Sequence, residues 1–126
     1  MDPIILPHPA TPIRQQLDFY RAEKYNNSKI ARNIDTIKHC CYDSRMQSVQ
    51  CQILVSELTA REAALSPLGN RICMALLRVP DPIDQMAVEL RYLQLLPMDA
   101  VAAELGCSTT TVRHRINRAI MYMQPL

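Results

Sequence analysis

The spacing of apolar residues predicts an all-α fold, an amino-terminal helical hairpin or bundle followed by four shorter helices. Apolar positions recur every three or four residues along most of the chain, as one face of a helix requires. No stretch alternates apolar and polar residues like a half-buried strand, and no Asn-Gly pair marks a hairpin. The 126 residues make one domain of common size, able to bury ~65% of its unfolded surface.

Taken in order, residues 1–12 carry Pro3, Pro7, Pro9 and Pro12, a density that excludes helix and central strand and reads as an extended, disordered arm. Residues 13–66 form a helical amino-terminal region. Its first helix carries Ile13, Leu17, Tyr20, Ile30, Ile34, Ile37 and Cys41 on one stripe, with a break allowed where Asn26 and Asn27 interrupt it. The second, about 45–65, has Met46, Val49 and Ile53 on one side and Cys51, Leu54, Val55, Leu58 and Leu65 on another. An apolar arc that broad places the helix between two partners or in a dimer interface. Ser66, Pro67, Gly69 and Asn70 read as a turn, and Ile72, Ala75, Leu76 and Val79 as a short helix ending at Pro80.

The third region, 70–126, becomes specific at Asp81-Pro82, an N-cap followed by a proline at the first helical position. That helix carries Ile83, Met86, Ala87, Leu90 and Leu93; Pro97 breaks it; a short helix runs from Met98 to Leu105. Gly106 supplies the positive φ that ends a helix, and Ser108 caps the next one. Ala102 is small where the two would cross, and Val101 and Leu105 face their shared core. Short helix, glycine turn and longer helix is the plan of a helix-turn-helix.

In the last helix, Val112, Ile116, Ala119, Ile120 and Met123 make the buried stripe. Thr109, Thr110, Arg113, His114 and Asn117 lie opposite, carrying hydroxyls, a guanidinium, an imidazole and an amide that suit base edges in the major groove. Ser108, Arg115 and Arg118 flank them as candidates for phosphates. Charge divides accordingly. From Val79 to Leu105 one Arg faces five acids, net −4, whereas Gly106 to Leu126 holds three Arg and no acid, net +3.

Other chemistries find little support. Only two glycines occur, with no Gly-x-Gly or Gly-Lys pair to wrap a nucleotide phosphate. Aromatics at 5% with no Trp are too sparse to stack single strands. Five cysteines lack a Cys-x-x-Cys pair, so neither a disulfide framework nor a zinc site is expected, and His39-Cys40-Cys41 cannot close a tetrahedron alone. No nucleophile stands with a base. The expectation is therefore no enzyme, no cofactor, no metal and no membrane span, in a reducing cytoplasm.

The stretch Leu96 to Ile120, and within it Gly-x-Ser-x-x-Thr-Val-x-x-Arg-x-x-Arg-Ala at 106–119, resembles the helix-turn-helix of sigma-70 region 4, in particular that of extracytoplasmic-function sigma factors. Asn70 to Met123, with Val-Pro-Asp-Pro and Leu-Arg-Tyr-Leu, also resembles small phage and prophage regulators of the ArpU and RinA type. The resemblance implies a regulator that binds double-stranded DNA, with Thr109, Thr110, Arg113, His114 and Asn117 facing it. Nothing in the first 65 residues is similar to sigma region 2. A single such helix reads few base pairs, so a homodimer held by the amino-terminal helices is expected. Two alternatives stand beside it: a sigma-like interaction module that grips RNA polymerase, and a small-terminase-like DNA-recognition subunit of a phage.

Overall fold

The computed structural model describes residues 4–40 and 44–124. Among them are five α-helices and no strand: α1 (Ile13–Cys40), α2 (Ser44–Leu76), α3 (Pro82–Val88), α4 (Met98–Leu105) and α5 (Thr109–Met123). A π-helical segment, Glu89–Leu93, continues α3. The expected all-α plan of helical amino-terminal part and carboxy-terminal helix-turn-helix is the one observed. Of the His39-Cys40-Cys41 run, Cys41 and the Cys40 side chain lie outside the described residues, as does the Met46 side chain.

α1 and α2 pack as an antiparallel hairpin joined by a polar network. Lys24 Nζ donates to Glu62 Oε2 at 2.8 Å, Asn27 Nδ2 donates to Glu62 Oε1 at 3.0 Å, and Arg61 Nε donates to Asn27 Oδ1 at 2.7 Å. Arg61 also pairs with Glu23. These bonds explain why α1 runs unbroken through Asn26 and Asn27: Asn27, a poor helix former, is buried and spends its amide between helices.

The turn expected at 66–70 is absent, because α2 passes straight through Pro67 and absorbs the short helix that would follow. Leu65, Leu68 and Ile72 are fully buried along one stripe. Their burial, about 2 kcal/mol for each side chain, outweighs the local preference for a turn and the loss of one helical hydrogen bond. Gly69 fits here for lack of a side chain, since a Cβ would stand 3.1 Å from the Tyr20 ring. Residues 4–12 do not trail free as an arm would. Leu6 packs against the core, and the Gln16 amide donates to the Thr11 carbonyl at 2.7 Å and the Pro9 carbonyl at 3.2 Å.

One core joins both halves: Ile13 and Leu17 of α1, Leu68 and Ile72 of α2, Val88, Val101, and Val112, Ile116 and Met123 of α5. The helix-turn-helix is thus walled by the hairpin. Ile83 and Met86, expected on the inner stripe of α3, are exposed, and Asp84 is buried in their place. Leu95 holds a φ of 64° in the turn before α4, a left-handed conformation costing a leucine about 1–2 kcal/mol. The turn is closed by the Leu96 N–H donating to the Leu90 carbonyl at 3.0 Å.

Candidate nucleic-acid interface

The turn between α4 and α5 is built as its residues dictate. Gly106 takes φ 69°, ψ 35°, and the Cys107 N–H donates back to the Ala102 carbonyl at 3.0 Å. Space is not the reason for glycine, because nothing would meet its Cβ within 4 Å. Backbone conformation is. Ser108 Oγ accepts from the Thr111 N–H at 3.2 Å and caps α5, while Arg78 Nη2 donates to the Met123 carbonyl at 2.6 Å at the other end. A cation there also suits the helix dipole.

α5 presents two faces. Val112, Ile116, Ala119, Ile120 and Met123 are buried, as their spacing predicts. Thr109, Thr110, Arg113, His114 and Asn117 are exposed on the other side, and Ser108 is exposed at the helix start. The five candidate base readers therefore share one solvent face.

Arg115 and Arg118, which the sequence alone assigns to phosphates, both turn to Asp84. Arg118 Nε donates to Asp84 Oδ2 at 2.7 Å and its Nη2 to Oδ1 at 3.0 Å, a two-pronged pair. Arg115 Nη1 donates to the same Oδ1 at 3.0 Å and lies 3.6 Å from Asp81 Oδ2. Asp84 is 1% exposed. Hydrogen bonds from Arg118 hold its carboxyl below the usual carboxylate range; burial opposes this, and the bond from Arg115 adds to it. The same contact raises Arg118 above the ordinary guanidinium value. This clamp ties α5 to α3. Its signal was present in the sequence: an acid at a stripe position of α3, and two arginines three apart on α5.

Asn117 also has a partner. Arg14 of α1 donates through Nη2 to the Asn117 Oδ1. A guanidinium only donates, so the amide must offer its oxygen to Arg14 and its Nδ2 hydrogens outward. Two-point reading of adenine, which needs the oxygen as acceptor, is open to Asn117 only if Arg14 moves. No local pattern could have revealed Arg14, which lies 103 residues from its partner.

Among the described residues, no cluster of three or more His, Cys, Asp or Glu could hold a metal, and no helix is long and apolar enough to cross a membrane. His39 Nδ1 donates to the Asp35 carbonyl of its own helix at 2.8 Å. Cys107 packs half-buried against the core.

Comparison with known proteins agrees with this geometry. No curated protein and no solved structure gives a match to the chain. Residues 81–123, from the Asp81 cap to the end of α5, match the family model of sigma-70, region 4, a DNA-binding helix-turn-helix module. The carboxy-terminal third of the chain is thus a sigma region 4-like domain, preceded by a long helical hairpin that this model does not cover.

Proposed function

We propose that the protein is a sequence-specific, double-stranded DNA-binding transcriptional regulator whose α5 enters the major groove. One observation carries the reading. The region 4-like unit presents Thr109, Thr110, Arg113, His114 and Asn117 on a single exposed face of a capped helix, while its opposite face and its clamp to Asp84 fix that helix on the core. Arg113, exposed and central on the face, suits guanine O6 and N7. Ser108 stands at the helix start near the phosphates. Arg118, its side chain 56% exposed, adds a phosphate contact beside its ion pair, and Arg115, deeper in the clamp, contributes mainly as a brace.

One recognition helix seldom suffices, so two copies would associate through the α1–α2 hairpin and read a two-fold related site. Val49 and Ile53, one turn apart, are exposed on α2, which suits that association. Origin in a phage or prophage, by kinship with the ArpU and RinA type, rests on the quoted residues alone, and a cytoplasmic location follows from the regulatory role.

Selection of binding sites from random duplex DNA at two salt concentrations tests the proposal. An enriched motif whose affinity falls steeply with salt is the expected result. Arg113→Ala should lose roughly 1–3 kcal/mol and relax preference at one base position. A second reading draws on Ile83 and Met86, half-exposed apolar residues of α3: a module that grips RNA polymerase. Polymerase captured without DNA, together with no enriched motif, would favour it.

A further inference from the structure

The helix that reads DNA in this proposal has little free positive charge of its own. Of the three arginines of α5, Arg115 and Arg118 share the buried Asp84 carboxylate, and among the described residues Arg113 has no ion-pair partner. Phosphate contacts dominate the affinity of most proteins for duplex DNA. Unpaired cations next to α5 therefore matter.

Such cations stand on α1. Arg14 and Arg21 lie seven residues, about two turns, apart on that helix. Arg14 reaches the exposed face of α5 at Asn117. Arg21 Nε donates to the Arg91 carbonyl at 3.1 Å, and Arg91 Nη1 donates to the Leu96 carbonyl at 3.1 Å, just before α4 begins. Each guanidinium spends donors on a neutral oxygen and keeps its full charge. Among the described residues, no carboxylate forms an ion pair with Arg14, Arg21 or Arg91; Asp18 is the acid whose charge is felt there. Burial and then the neighbouring Arg21 charge depress the Arg91 guanidinium. With Asp18 as the acid felt there, the three guanidiniums still outnumber their counter-charge, and an incoming anion relieves the excess.

We propose that Arg14 and Arg21 of α1, with Arg91, form a basic track that grips the phosphate backbone of the duplex whose bases α5 reads. The inference rests on the DNA-binding reading above and extends the interface beyond the region 4-like unit. It also gives the amino-terminal helix a direct part in binding, through residues that no helix-turn-helix pattern contains.

The test uses the full-length protein and a fluorescent duplex bearing the selected motif, titrated across a range of salt. Arg14→Gln and Arg21→Gln should each weaken binding about eightfold near 0.1 M salt and lower the salt slope by about 1, with the selected motif unchanged. Arg14→Lys should keep the slope, and Arg32→Gln, farther along α1, should bind like the wild type. Circular dichroism checks that each variant is folded. On the wild-type protein, phosphate-ethylation interference is expected beyond the edges of the motif, a readout that needs no variant. Wild-type affinity and slope in both glutamine variants, with Arg113→Ala still relaxing base preference, would overturn the track and leave the DNA reading intact. An altered motif at unchanged slope would make Arg14 a positioning residue for Asn117, and overturn the phosphate role. Absence of duplex binding by the wild type at low salt would remove the DNA reading and the track together.

Discussion

Asp84 shows how one residue can decide what its neighbours are free to do. Its carboxylate, buried and shared by Arg115 and Arg118, makes Arg115 mainly a strut and ties Arg118 to the core beside any phosphate it meets. Asp84→Ala removes that anchor and should destabilise the fold by about 3 kcal/mol. This is the lower end of the range for breaking a buried pair, because both guanidiniums can turn to water. Denaturant unfolding measures it. The pH dependence has a definite sign. Because the folded carboxyl titrates below its unfolded value near ~3.9, the clamp's contribution is full above that value and is lost as pH falls towards the folded one. Between about pH 5 and pH 3, the wild type should lose more stability than Asp84→Asn. Equal losses would show that the clamp does not carry the acid sensitivity. Asp84 was legible only in principle, as an acid on an apolar stripe, whereas the face of Thr109, Thr110, Arg113, His114 and Asn117 was open to helical spacing alone.

Among the elements, the parts legible in the sequence are those whose chemistry is local. The Asp81 cap, Gly106 and the Ser108 cap each satisfy backbone groups within a few residues, so their meaning survives without knowledge of the rest of the chain. Gly106→Ala should cost about 1 kcal/mol, set by the left-handed backbone, and thermal unfolding would register it. α2 failed the same kind of reading. Ser66, Pro67, Gly69 and Asn70 spell a turn, yet α1 and the core need Leu65, Leu68 and Ile72 on one continuous stripe, and that demand is nonlocal. Likewise, the unbroken course of α1 depends on Glu62 and Arg61 meeting Asn27 from the other helix. At the crossing, Gly69→Val should push α2 off Tyr20 and cost about 2 kcal/mol, as overpacking does. An unchanged denaturation midpoint would mean that the Tyr20 ring yields freely.

For the whole molecule, the hairpin serves two purposes in the proposed function: its inner side walls the core, and its outer side would hold a second copy. Ile53, 61% exposed on α2, should lie in that contact. Ile53→Asp is expected to turn a dimer into a monomer in size-exclusion chromatography with light scattering, and a monomeric wild type would exclude the arrangement. Arg14 and Asn117 meet across 103 residues of chain, and this separation also sets a timetable. At ~5–20 residues per second of synthesis, roughly 5–20 s elapse between the appearance of Arg14 and that of its partner. During that interval the apolar side of α1 meets first α2 and then the Glu89–Leu93 segment as each is made, but not α5. The lysine, asparagine and glutamate bonds of the hairpin thus act as a holding arrangement in the nascent protein, keeping α1 aligned until α5 closes over Ile13 and Leu17.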